Sequence, residues 1–149
     1  MEYKFYGWQD ANVKPIDSKY NKISNPKVLY DMLSNIWCME SCAPRLRDKW
    51  SKENKTYGQC SITAFLVQDI FGGKVYGIPL KEGGVHCFNN VDGQITDFMK
   101  VIHRFSYNGG HTVEERDQRD FWGICQMPAY NYIQGLWATN KKLKNAYRN

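Results

Sequence analysis

The sequence predicts a small α+β domain in which a buried helix bearing Cys60 packs on a short antiparallel sheet. Residues 60–71, Cys-Ser-Ile-Thr-Ala-Phe-Leu-Val-Gln-Asp-Ile-Phe, are apolar nearly all round, and a helix of that kind belongs in the interior. Two strand-like runs flank Asp92-Gly93, a strong signal for a two-residue hairpin turn. Upstream, apolar residues recur at helical spacing behind a capping asparagine.

Taken in order, the first 24 residues mix aromatics with Lys, Asp and Asn without a clear period, which predicts an arm or an irregular strand. Asn25 is suited to cap a helix and Pro26 to its first position. Val28, Leu29, Met32, Leu33, Ile36 and Trp37 form one buried stripe, and Pro44 marks the expected end. Residues 45–59 read as a polar connection containing Trp50. The helix over 60–71 stops at Gly72-Gly73, because glycine accepts the left-handed backbone. Strands are expected at 74–80, 85–91 and 94–98, the first with Pro79 at its end or on a sheet edge. Further on, Thr112 and Glu115 have the spacing of a capping box, and Pro128 is placed to open a last helix.

The 149 residues suit one domain, taken as 1–149, with no repeat, low-complexity tract or linker. A 42% hydrophobic and 23% charged composition excludes a disordered chain. The net charge of +5 gathers partly at Lys141, Lys142, Lys144 and Arg148. A solvated helix face is the preferred reading there, over a nucleic-acid surface. No stretch approaches the roughly 18 apolar residues of a membrane span, and the N-terminus lacks a secretory signal pattern. With five cysteines, an odd number, a secreted disulfide framework is not expected. A reducing cytoplasm is. No cofactor or metal is expected either: Cys38 and Cys42 lack a second pair at zinc-ligand spacing, with Cys125 as the nearest alternative third ligand.

The chemistry gathers around Cys60. A thiol at a helix start meets the positive end of the helix dipole and unpaired amides, which favour the thiolate and offer an oxyanion site. Taken alone, Cys60 reads first as a small buried apolar residue. The hairpin adds partners. A two-residue turn pairs Val91 with Gln94, Phe88 with Asp97 and His86 with Met99. His86 and Asp97 then share a face as diagonal neighbours, about 7–8 Å apart at the backbone and within side-chain reach. Phe88 and Ile95 mark that face as the one expected to pack on the buried helix. Cys87, by parity, falls on the other face and is assigned to packing, and His103 and His111 have no evident partner. Cys60 becomes a nucleophile, His86 its proton partner and Asp97 the group that orients the imidazole. Gln59, beside the nucleophile, either donates into the site or packs away from it.

The stretch Trp50-Ser-Lys-Glu-Asn54 through Gly58-Gln59-Cys60-Ser-Ile-Thr-Ala, then Gly72-Gly73, His86-Cys-Phe-Asn89 and Asp92-Gly93 to Asp97, resembles the bacterial YunG-like proteins. The order of cysteine on a helix, then histidine and aspartate on successive strands, also resembles the core of transglutaminase-like and papain-like enzymes. The resemblance covers residues 28–98; Phe98-Met99-Lys100 departs from the Leu-Thr pattern of the group, and the C-terminal third matches poorly. It implies a cysteine-proteinase-like fold and a Cys60–His86–Asp97 triad. It also suggests Asn54, six residues before Cys60, as an oxyanion-hole amide, with turn capping as the alternative. The expected function is thiol-dependent hydrolysis or acyl transfer on a peptide, protein or small amide or ester. The alternative is a non-catalytic binding or adaptor module that keeps the fold.

Overall fold

A computed structural model describes residues 5–39, 41–80, 85–99 and 114–116. The helix expected after Pro128, the basic residues near the C-terminus, and His103, His111 and Cys125 lie outside the described residues. Helix α1 runs over Pro26–Ser34 and α2 over Cys60–Phe71; the strands are β1 (Lys74–Pro79), β2 (Val85–Val91), β3 (Gln94–Thr96) and β4 (Glu114–Arg116).

Helix α1 starts where a capped helix should. The Val28 amide donates to Asn25 Oδ1 at 3.1 Å, and Pro26 occupies the first turn. It ends ten residues before Pro44, at Ser34. Ile36 and Trp37 are still buried, because the Ile36 and Trp37 amides fold back onto the Leu33 carbonyl and keep the chain against the core. The polar connection that follows contains a 3-10 turn over Pro44–Lys49. The Trp50 indole N–H donates to the Lys55 carbonyl at 2.9 Å and closes the loop behind it.

Helix α2 has the limits its apolar run predicts, and Ile62 through Val67 are all buried. It is tied to both neighbours by polar contacts inside the core. The Trp37 indole donates to Thr63 Oγ1 at 3.0 Å, and Asn89 Nδ2 on β2 donates to the Ala64 carbonyl at 2.8 Å. A lost buried bond of this kind leaves an unsatisfied polar group costing about 1–3 kcal/mol, so these contacts fix the orientation of α2.

The sheet is antiparallel in the order β3-β2-β1-β4. Asp92 and Gly93 both have positive φ, 52° and 82°, which the tight hairpin turn requires. The register follows: Val91 opposite Gln94, Asn90 opposite Ile95 and Asn89 opposite Thr96. Three strands were expected and a fourth is present. Glu114–Arg116 pairs with β1, with Glu115 opposite Tyr76, so Glu115 belongs to a strand and not to a helical capping box. Strand β1 is therefore interior, and Pro79 is tolerated because it stands at the strand's end.

The N-terminal arm is irregular but anchored. Phe5 is buried against Tyr30 and Phe98, with ring centroids 5.0 and 4.7 Å away. Tyr6 exchanges backbone hydrogen bonds with Asp97, 3.0 Å in one direction and 3.1 Å in the other. The arm thus extends the pairing of the hairpin where β3 stops at Thr96.

Gly58, two residues before α2, has φ 72°, and a Cβ there would sit 2.4 Å from Cys42 Sγ. Gly58→Ala combines left-handed strain with overpacking of a buried sulfur and is expected to cost about 2–4 kcal/mol. An unchanged urea midpoint for this variant would show that the chain does not make this close approach.

Candidate active site

Cys60 is the first residue of α2, and the helix start lies beside the first residues of β2, with Cys60 Sγ 3.9 Å from the Val85 carbonyl oxygen. Gln59 precedes it without capping the helix through its side chain. Instead Gln59 is fully buried: its Oε1 accepts from Ser41 Oγ at 2.8 Å and its Nε2 donates to the Cys38 carbonyl at 2.9 Å. Of the two alternatives for Gln59, the amide packs away, onto the 38–41 turn. It supports the segment entering the helix and leaves the first-turn amides of α2 uncapped by a side chain.

His86 and Asp97 meet as the hairpin parity predicts. His86 Nε2 and Asp97 Oδ2 are 2.7 Å apart, with both residues almost fully buried. The other carboxylate oxygen, Oδ1, accepts the Met99 amide at 2.9 Å. With its main chain paired to Tyr6 and Phe98 packed in the core, Asp97 is held from three directions. Nε2 being engaged by Asp97, Nδ1 is the ring nitrogen left for Cys60.

One expectation about the sheet is corrected. The face of β2 that meets α2 carries Cys87 and Asn89, not Phe88 and Ile95. Cys87 clusters with Ala64, Phe65 and Val75, and Cys60 packs against this group. Phe88 and Ile95 pack with Ile78 and Tyr76 in a separate cluster, and the His86 ring stacks on Phe88 with centroids 6.4 Å apart. The largest apolar side chains of the hairpin, Phe88 and Ile95, find partners in Ile78 and Tyr76 on the face away from the helix. The helix side carries the small thiol of Cys87, the Asn89 amide bonded to the helix backbone, and Val91 in the core with Leu66 and Ile70.

The thiol at Cys60 is held well below the usual range. A hydrogen bond with the Cys87 side chain is the largest cause and burial opposes it, while His86 and the Cys87 backbone act with the first. Burial alone would lower the His86 imidazole. Hydrogen bonds to Asp97 and Cys60, and the charges of both, outweigh it and push His86 up to about 10. The two shifts are one coupling, in which each group favours the charged form of the other. Cys42 behaves oppositely: burial pushes it up to about 11, so it is an inert core thiol.

Asn54 stands on an exposed turn. Its backbone amide donates to the Ser51 carbonyl and its carbonyl accepts from Tyr57. That is the turn-building alternative weighed for it. Sequence reasoning missed Cys87 as a neighbour of Cys60. The parity that separated Cys87 from His86 was sound, and the missing signal was that Phe88 and Ile95 supply their own cluster. The Tyr6 bridge to Asp97 had no sequence signal. Among the described residues, no three metal-binding side chains converge, and no helix is long and apolar enough to cross a membrane.

Comparison with known proteins gives one family. The model of the YunG protein family matches residues 25–135, which extends the likeness well beyond residue 98 into the C-terminal third. A protein of Bacillus subtilis (strain 168), named "Uncharacterized protein YunG", is 38% identical over 70 residues. That stretch is 47% of this chain and 60% of the relative's length. No solved structure matches the chain.

Proposed function

The chain belongs to the YunG family, and we propose that it is a thiol-dependent acyl-transfer enzyme built on a cysteine-proteinase-like core. The observation that carries this reading is the chain of contacts from Cys60 through His86 to the doubly anchored carboxylate of Asp97. A half-buried thiolate next to a buried imidazolium is costly to maintain, and nucleophilic catalysis is the chemistry that uses it.

The steps follow from the positions. The Cys60 thiolate attacks the carbonyl carbon of an amide or ester in a peptide, protein or small molecule. The oxyanion that forms lies at the start of α2, where first-turn amides and the helix dipole favour negative charge. The His86 imidazolium gives its proton to the leaving amine or alcohol, leaving a thioester on Cys60. His86, now neutral, takes a proton from water or an incoming amine as that group releases the acyl chain. Asp97 holds the ring so that Nε2 carries a proton and Nδ1 faces the sulfur.

The test uses an activated ester, such as a p-nitrophenyl acetate, and intact-mass measurement of the full chain. One acetyl group should appear on Cys60, be cleared by hydroxylamine, and be missing in Cys60→Ser. Ready alkylation of Cys60 without any acyl adduct from esters or activated amides would instead favour a non-catalytic binding module.

A further inference from the structure

We propose that Cys60 and Cys87 form a hydroperoxide-reactive thiol pair, in which Cys60 is oxidised first and Cys87 closes a disulfide onto it. Geometry supplies the case. Cys87 stands on the α2-facing side of β2, in the small cluster with Ala64, Phe65 and Val75 against which Cys60 packs, and the two sulfur-bearing side chains share a hydrogen bond. The cross-strand neighbour directly opposite Cys87 on β1 is Gly77, which carries no side chain. Neither cysteine is in a disulfide.

Exposure divides the roles. Cys60 is partly exposed, whereas Cys87 is 2% exposed and cannot meet a peroxide from solvent. The Cys60 thiolate attacks one oxygen of the hydroperoxide: an S–O bond forms and the O–O bond breaks. The departing hydroxide or alkoxide takes the proton of the His86 imidazolium and leaves as water or alcohol. The sulfur of Cys87 then attacks the sulfenic acid: the S–S bond forms, the S–O bond breaks, and the Cys87 proton leaves with the hydroxyl as a second water. Two thiols lose two electrons in total, and the hydroperoxide gains them. A neighbouring thiol already in contact intercepts the sulfenic acid before further oxidation, so the oxidised state is reversible.

The inference needs only the thiolate and its neighbour, not acyl chemistry, so the two readings fail separately. The reduced full chain is treated with hydrogen peroxide, remaining thiols are blocked, and peptides are mapped by mass spectrometry without reduction. A peptide joining Cys60 to Cys87 should dominate, and alkylation of Cys60 should fall at least tenfold and return after dithiothreitol. In Cys87→Ser the same treatment should drive Cys60 to sulfinic acid, with no recovery. The wild-type map alone decides if that variant does not fold. Cys60 found as sulfinic acid in the wild type, or joined to Cys42 in place of Cys87, would overturn the pair. Ester acylation of Cys60 in the same preparation would show that the acyl-transfer reading survives without it.

Discussion

Cys60 is expected to alkylate far ahead of Cys42, and to keep reacting at a pH where an ordinary thiol has stopped. Each pH unit below a thiol's pKa removes about tenfold of its thiolate, so Cys42, at about 11, presents on the order of one thiolate in ten thousand at pH 7. Burial lowers its rate further. Cys60, held well below the ordinary thiol range, carries a far larger thiolate fraction at the same pH and is only partly buried. Even after the lower intrinsic nucleophilicity of a low-pKa thiolate is allowed for, a selectivity above about a hundredfold is expected. Iodoacetamide labelling with peptide mapping from pH 5 to 10 reads it. His86→Ala removes one hydrogen bond and the positive charge that favour the thiolate, so the labelling profile of Cys60 should move to higher pH. Labelling of Cys42 ahead of Cys60, or a profile indifferent to His86→Ala, would mean that no ion pair exists.

The same pair fixes a dependence of stability on pH. His86 has a raised folded pKa, so its contribution is full below its unfolded value near 6.5 and is lost as pH rises through about 10. Cys60 has a depressed folded pKa, so its contribution is full above the unfolded value near 9.0 and is lost as pH falls toward the folded one. Above both 6.5 and the folded Cys60 value, and up to about 9, the two slopes oppose and cancel. The pair's part of the unfolding free energy should therefore be flat there and decline between about 9 and 10, where only His86 still titrates. A comparison of the wild type with a Cys60→Ala, His86→Ala double variant isolates this part.

The elements that position the site were legible where local chemistry decides them. Asn25, the apolar run of α2 and the Asp92-Gly93 turn each act within a few residues, so capping, helix limits and hairpin register could be read from the sequence. The parity of a strand then brought His86 and Asp97 together without further information. What could not be read was which face of that strand α2 covers. This is decided by long-range packing: Phe88 and Ile95 found Ile78 and Tyr76, and the helix took the smaller side with Cys87 and Asn89. Backbone pairing between Tyr6 and Asp97 was hidden for the same reason, since main-chain bonds leave no mark on side-chain pattern. The end of α1 was misread because Ile36 and Trp37 continue the apolar stripe after the helical hydrogen bonding has stopped.

Asp97→Asn is expected to keep the fold and to slow acylation by about 10²–10⁴-fold, by analogy with the loss of the orienting carboxylate in other nucleophile–imidazole sites. Asparagine matches aspartate in shape, and its oxygen can still accept the Met99 amide that Oδ1 accepts now. The main-chain pairing with Tyr6 does not involve the side chain at all. The change falls on His86. Where Oδ2 accepts a proton from Nε2 at 2.7 Å, an amide NH₂ would donate, and two donors cannot share that contact. The imidazole avoids the clash by moving its proton to Nδ1, the nitrogen that faces Cys60. It can then neither accept the thiol proton there nor form the imidazolium beside a stabilising anion, so the thiolate loses its counter-charge. The acylation rate of Cys60 should fall, and its dependence on pH should shift toward that of an ordinary thiol. A carboxylate with only a packing role would lower thermal stability and leave the acylation rate and its pH profile in place. Asp97→Asn therefore separates an orienting anion from a buried strut in a single pair of measurements.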